Sequence, residues 1–247
     1  MLKIKDLMVF YENALAVNDL SLEIKPGEII GLFGSNSAGK TTILNTLSGL
    51  THHLKVREQR KGGTRITITG SINYLDKDIM NLKPRERVEL GIILCRERHP
   101  VFRDNTVEEN LKLGGYLRKV QEIKESLQFV YELFPPLIKL RKNKAGMLSG
   151  GEKEMVAIGM SLVAKPKLLL MDEPLLGLSP HMQAEVVRAA QEIRKHGVTV
   201  LMSEQYARPI MPIIDRGYII ENGTLVMTGT GSELMDNPEV KSAYFGT

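Results

Sequence analysis

The chain has 247 residues, with 33 Lys and Arg against 29 Asp and Glu, a formal net charge of +4. A charged fraction of 25% and an apolar fraction of 43% are ordinary for a globular domain, and exclude a disordered chain, a collagen-like chain and a coiled-coil rod. A charge of +4 is too small to argue for nucleic acid by itself, no apolar run approaches the ~18 residues of a membrane span, and one cysteine, Cys95, cannot form an internal disulfide and suits a reducing, cytosolic compartment.

In chain order, residues 1–6 alternate and carry charge, unlike a signal peptide. Residues 3–10 and 14–24 alternate as strands, and Lys25-Pro26-Gly27-Glu28 marks a turn. Residues 28–33 form a short buried strand, a Gly-rich loop follows, and a helix runs from about 39 to 48. The basic stretch through Gly62-Gly63 reads as a surface hairpin tip before a strictly alternating strand at 65–69. Residues 91–95 are an apolar strand. From Thr106 to Phe134 the pattern is helical: Thr106 and Glu109 make a capping box, and Ile123, Leu127, Val130 and Phe134 share one face. Pro135-Pro136 ends it. A helix at 149–164, a strand at 167–171, a helix at 180–195 and a strand at 198–203 follow. The tail gives short strands at 213–220 and 224–227 and a terminal helix pair. Strands alternate with helices at both ends, around a mostly helical block near 100–160. That order predicts an α/β nucleotide-binding core interrupted by a helical lobe.

Gly34-Ser35-Asn36-Ser37-Ala38-Gly39-Lys40-Thr41 fits G-x-x-x-x-G-K-[ST], with a strand before it and a helix after it. Its glycines let backbone N–H groups converge on phosphate oxygens, and the helix adds the positive end of its dipole. Lys40 supplies a point charge for the β- and γ-phosphates, and Thr41 a hydroxyl for Mg²⁺. Leu168-Leu169-Leu170-Met171-Asp172-Glu173-Pro174 is an apolar run ending in two acids. A buried strand ending in Asp172 presents a carboxylate to Mg²⁺, directly or through water. The next carboxylate, Glu173, is placed to polarise an attacking water. Upstream, Leu148-Ser149-Gly150-Gly151-Glu152 opens a helix with a capping residue and two glycines, a second anion-binding helix start.

Together the three motifs resemble those of the ATP-binding-cassette (ABC) ATPases, over essentially the whole chain. The resemblance implies an α/β phosphate-loop nucleotide-binding domain spanning 1–247. Such a domain has a RecA-like core, an antiparallel β subdomain, and a helical subdomain inserted at about 98–164. It implies ATP and Mg²⁺ as ligands. Gly34, Ser35, Asn36, Ser37, Ala38, Gly39, Lys40, Thr41 and Thr42 would surround the phosphates, and Tyr11 would stack on adenine. Thr41, Glu97 and Asp172 would serve Mg²⁺, and Glu173 would be the catalytic base. In the family, two cassettes pair head to tail. Ser149, Gly150 and Gly151 of one would close over the γ-phosphate held by Lys40 of the other, with Gly177-Leu178-Ser179-Pro180 crossing that interface.

Two positions depart from the broad pattern. The loop into the helical lobe usually carries Gln, but Cys95-Arg96-Glu97-Arg98-His99-Pro100-Val101-Phe102 puts Glu97 there. Its added negative charge calls for Arg96 or Arg98 nearby. In Ser203-Glu204-Gln205, Gln205 stands where many cassettes have His; it keeps a donor for the γ-phosphate but cannot become charged. These features, with Thr106-Val107-Glu108-Glu109-Asn110-Leu111 and the ending Ser242-Ala243-Tyr244-Phe245-Gly246, are similar to the ATPase subunits of branched-chain amino-acid importers. Urea and short-chain amide importers share most of them.

That resemblance implies an ATP-hydrolysing, energy-coupling subunit, cytoplasmic and peripheral on the inner face of the cell membrane. A transmembrane permease would dock near 97–117, and a second cassette would pair with this one, a different chain being preferred over a copy. A regulatory cassette of a heterodimer is the alternative that Glu97 and Gln205 keep open. A cassette acting on nucleic acid is disfavoured by the single motif set and the lack of heptads. Ser37 stands where glycine is commoner and must take whatever backbone angle the loop demands. His52 and His53 lack further metal ligands and belong with Lys55, Arg57, Arg60 and Lys61 to a solvated loop, with a partner subunit or anionic lipid as alternative contacts. Cys95 reads as a core thiol and the twelve methionines as core filling.

Overall fold

The computed structural model describes residues 1–98 and 100–245; His99 and Gly246, both within motifs quoted above, lie outside them. The chain opens with β1 (Leu2–Tyr11), β2 (Ala14–Ile24) and β3 (Ile29–Phe33), then α1 (Lys40–Ser48) and α2 (Leu50–Gln59). Next come β4 (Ile66–Tyr74), β5 (Lys77–Asp78), α3 (Pro84–Leu90) and β6 (Ile92–Cys95). Four helices follow: α4 (Val107–Gly114), α5 (Val120–Leu133), α6 (Pro136–Leu140) and α7 (Gly150–Val163). The remainder is β7 (Leu168–Asp172), α8 (Pro180–Lys195), β8 (Thr199–Glu204), β9 (Arg216–Glu221), β10 (Thr224–Gly229), α9 (Gly231–Asp236) and α10 (Pro238–Tyr244).

One sheet is antiparallel, in the order β2-β1-β4-β5. The other runs β10-β9-β3-β8-β7-β6, with β3, β8, β7, β6 and β9 mutually parallel and only β10 antiparallel. Strands β3, β7 and β8 are buried along their whole length, as parallel strands covered on both faces must be. Their side chains then divide by the two-residue period. Ile30, Leu32, Leu168, Leu170 and Leu201 pack with α1 and the antiparallel sheet. Ile29, Phe33, Leu169, Met171, Val200 and Met202 pack with α7 and α8. The parallel register sets Phe33 beside Glu204 and Asp172 beside Ser203. The loops after β3, β7 and β8 therefore leave the sheet at one edge, where α/β sheets place their ligands.

The helical block differs from one continuous helix. The expected helix at 106–134 breaks after Gly114. A Cβ on Gly114 would lie 2.1 Å from the Met160 carbonyl oxygen, so only glycine lets α4 approach α7 this closely. Pro135-Pro136 ends α5 but also starts α6, where proline at the first turn gives up no bonded N–H. The capping boxes of α4 and α7 form as expected: Thr106 Oγ1 accepts from Glu109 N, and Ser149 Oγ from Glu152 N.

The stretch expected as a solvated loop running into a hairpin tip at Gly62-Gly63 is instead helix α2 up to Gln59. This helix follows Gly49, whose φ of 84° lets α1 end and α2 begin with no linker. Thr46 Oγ1 donates to Thr51 Oγ1 (3.1 Å) across the corner. Arg87 of α3, 1% exposed, fills the space behind it. Its guanidinium donates to the carbonyls of Thr46, Leu47, Ile79, Met80 and Leu82. Burial lowers its pKa to about 10. Among the described residues no helix is long and apolar enough to cross a membrane.

Candidate functional site

The loop between β3 and α1 closes tightly around its own backbone. A Cβ on Gly34 would sit 2.4 Å from the Ile220 carbonyl oxygen. Gly39 has φ +106°, and a Cβ there would be 2.5 Å from the Ala16 carbonyl oxygen. Ser37 has φ 67°, so this loop holds a serine in the left-handed region that favours glycine. Lys40 is 4% exposed. Its Nζ donates to the carbonyls of Gly34 (2.8 Å) and Ser35 (3.1 Å) and lies 3.0 Å from Glu173 Oε1. All three ammonium protons thus have acceptors inside the site.

The two acids at the end of β7 are held by β8. Ser203 Oγ donates to Asp172 Oδ1 (2.7 Å), which also accepts from Thr41 Oγ1 (3.2 Å). The Glu173 N–H is shared between Ser203 O (3.1 Å) and Ser203 Oγ (3.2 Å). This grip keeps Glu173 at φ 46°, a strained angle for a side chain with a Cβ, and aims its carboxylate at Lys40. Burial raises the pKa of Asp172, opposed by its bonds to Ser203 and Thr41. Glu204, 5% exposed, accepts from Leu175 N (2.9 Å), and burial lifts its pKa to about 8.

Ser203 and Glu204 brace the site, yet sequence reasoning singled out neither. The available signal was a polar pair ending the apolar strand Val200-Leu201-Met202. The folded chain keeps the Glu204 proton up to about pH 8, whereas the unfolded chain releases it near 4.5. Unfolding therefore releases that proton between these values, and stability falls as pH rises through this window. Glu204→Gln keeps the acceptor for Leu175 N and removes the titration. The variant is expected to match the wild type near pH 4.5 and exceed it by about 2–4 kcal/mol at pH 8. Urea denaturation at both pH values measures this, and a constant difference between them would count against it.

A cleft of about 200 Å³ opens over the loop, lined by Ala16, residues 36–42, Glu97 and Glu173. Glu97 is brought to the phosphate loop, and Arg98 Nε lies 3.7 Å from its carboxylate, as its charge calls for. Thr41, Asp172 and Glu97 offer hard oxygen donors suited to Mg²⁺, which takes few protein carboxylates and completes its shell with water and substrate phosphates. Burial disfavours the Asp172 carboxylate, a cost that a cation beside it offsets. Among the described residues no cluster of three His, Cys, Asp or Glu could hold a metal alone.

Other expected site residues stay apart from this cleft. Tyr11 ends β1, half-buried, and Gln205 follows β8, half-buried; neither lines it. Ser149, Gly150 and Gly151 cap α7 away from it, and Gly150 faces open space.

The family model described as "ABC transporter" matches residues 17–176. The chain is 38% identical, over 100% of both sequences, to the high-affinity branched-chain amino acid transport ATP-binding protein BraG of Pseudomonas aeruginosa. It is 31% identical to the probable branched-chain amino acid transport ATP-binding protein LivF of Archaeoglobus fulgidus, covering 100% of this chain and 99% of that one. The lipopolysaccharide export system ATP-binding protein LptB of Haemophilus influenzae is 32% identical, over 98% and 95%. Among solved structures, a nucleotide-free ATP-binding cassette from an ABC transporter shares the fold, with a TM-score of 0.82 at 24% identity, covering 100% of this chain and 99% of that chain.

Proposed function

Because this chain belongs to the ABC transporter ATP-binding family, we propose that it is the energy-coupling ATPase of an importer for branched-chain or other hydrophobic amino acids. The observation that carries this reading is the meeting of Lys40, Thr41, Asp172 and Glu173 at one sheet edge, in a chain 38% identical to BraG from end to end. The 38% identity to BraG, against 32% to LptB, favours import over lipopolysaccharide export, while LivF, at 31%, does not separate the two.

The chemistry follows from which acceptors Lys40 uses. The γ-phosphate of ATP offers oxygens that replace the Gly34 and Ser35 carbonyls and the Glu173 carboxylate around Nζ. Glu173 is then released to accept a proton from water aligned on that phosphate. Loop N–H groups and the α1 N-terminus hold the remaining phosphate charge. Mg²⁺, when bound, neutralises charge on the phosphate oxygens, and Thr41, Asp172 and Glu97 are the residues that would hold it. Tyr11 would take the adenine and Gln205 the γ-phosphate.

Ser149 and Gly150 lie outside this chain's cleft, with Gly151 packed on Met182 behind them, and the three suit the nucleotide of a second cassette, either another copy or a different chain. Residues 98–164 form the helical subdomain in this reading. An apolar groove of about 310 Å³ between it and the core, lined by Leu50, Val88, Leu94, Pro100 and Met160 among others, would seat the permease at the cytoplasmic face of the membrane.

Light scattering tests the paired ATPase. Glu173→Gln should shift from monomer to dimer on adding MgATP. A variant that binds ATP and stays monomeric would point to a different cassette partner or to a requirement for the permease. Deleting the chain from its host should abolish ATP-dependent uptake of leucine, isoleucine and valine. Unchanged uptake of all three would overturn the solute assignment.

A further inference from the structure

The net charge of this chain is local. Residues 50–65 contain five cations (Lys55, Arg57, Arg60, Lys61 and Arg65) and one acid, Glu58, a surplus of four. The surplus of the whole chain is also +4, so the rest of the molecule is neutral. Lys55 and Arg57 stand on helix α2, and Arg60, Lys61 and Arg65 follow in the turn and loop after it. Helix α2 is fixed at its start by the Thr46–Thr51 bond and by Arg87, which donates to the carbonyls of Thr46 and Leu47. Glu58 turns back onto Arg65, 3.2 Å from its Nε. His53, Arg57, Arg60 and Lys61 are left exposed, with Leu54, 45% exposed, among them. Among the described residues Arg57, Arg60 and Lys61 have no carboxylate within ion-pair distance.

Nucleotide does not account for this surface. None of its cations lines the cleft over the phosphate loop, and the nine residues of α1, about 13 Å at 1.5 Å per residue, separate that loop from the corner where α2 starts. Its position suggests the partner. Leu50, the first residue of α2, lines the apolar groove assigned above to the permease, so α2 lies at the groove's edge. Cytoplasmic loops of membrane proteins carry excess Lys and Arg and would repel it. The cytoplasmic leaflet is anionic and attracts basic helices beside a membrane-embedded partner.

We propose that the end of α2 and the turn that follows it bind anionic lipid headgroups beside the permease, holding this subunit against the membrane surface. This rests on the reading of the chain as a permease-bound ATPase. The full chain would be sedimented with vesicles of phosphatidylcholine alone and of phosphatidylcholine containing phosphatidylglycerol. The wild type should bind only the anionic vesicles and be released by high salt. Arg57→Glu/Arg60→Glu/Lys61→Glu should bind them at least about tenfold less, with unchanged ATP turnover. The triple Gln variant repeats the test should the Glu variant fail to fold. Equal binding by wild type and folded variant, or equal binding to both vesicles, would overturn the proposal. So would retention on an oligonucleotide with none on vesicles, which would assign the surface to nucleic acid. Loss of ATP turnover in the wild type would instead strike at the ATPase reading, so the two failures are distinguishable.

Discussion

Replacing Glu173 by Gln is expected to lower ATP turnover by roughly 10²- to 10⁴-fold, the usual contribution of a general base, while leaving MgATP binding intact. The substitution is nearly isosteric. The amide oxygen of Gln can still accept from Lys40, which Glu173 meets at 3.0 Å. The backbone of residue 173 stays gripped by Ser203, so the strained φ of 46° and the path of the loop are preserved. What is lost is the negative charge opposite Lys40 and, with it, the capacity to take a proton. Phosphate release measures turnover, and equilibrium binding of a labelled nucleotide measures affinity. A loss below tenfold would move the base elsewhere, and Glu97, the other carboxylate lining the cleft, would be the next to replace. A loss of binding along with turnover would mean that the carboxylate serves chiefly to position Lys40.

The parts of the site legible in the sequence are those that chemistry imposes locally. The phosphate loop needs its glycines where a Cβ would strike a carbonyl, so Gly34 and Gly39 announce themselves. The acids at 172 and 173 are marked by the apolar strand they end. Helix α8 is bounded at 180–195 as its Ser179 cap and Pro180 indicate. Even the strain at Ser37 follows from a serine standing where glycine is commoner. Most of the parts missed depend on distant neighbours. Ser203 and Glu204 become bracing residues only because β8 lies beside β7. Helix α2 has little apolar periodicity and reads as a loop; it is fixed by Arg87, far along the chain. The single helix expected at 106–134 breaks at Gly114-Gly115, a local turn signal that the helical pattern on either side masks, and Gly114 packs against Met160 there. The solute is not legible at all, since in the proposed function it never touches this chain.

Arg87→Ala is expected to destabilise the fold by about 3–5 kcal/mol, the cost of breaking a buried charged hydrogen-bond network. One guanidinium satisfies five carbonyls on two segments, the end of α1 and the Ile79–Leu82 stretch, and through the first it holds the corner where α2 starts. Truncation removes that donor from all five; Thr46 O still accepts from Gly49 N and Ile79 O from Leu82 N, and each buried carbonyl left unsatisfied costs roughly 1–3 kcal/mol. The net loss is smaller than their sum for two reasons. Removing the guanidinium ends its own burial cost, which is large enough to lower its pKa to about 10. Water can also enter the space it vacates. Arg87→Lys tests the geometry apart from the charge, since one ammonium has three donors and cannot span five acceptors. Its loss should fall between the wild type and Ala. The same corner carries Ser48, Leu50, Pro84 and Val88, which form one wall of the apolar groove. Hydrogen exchange should therefore show lost protection first in residues 46–60, ahead of the parallel sheet. Uniform loss across both sheets would mean that Arg87 stabilises the whole domain and not this corner. The distinction bears on function: a locally loosened corner would weaken permease docking and lipid contact while Lys40, Asp172 and Glu173 still hydrolysed ATP.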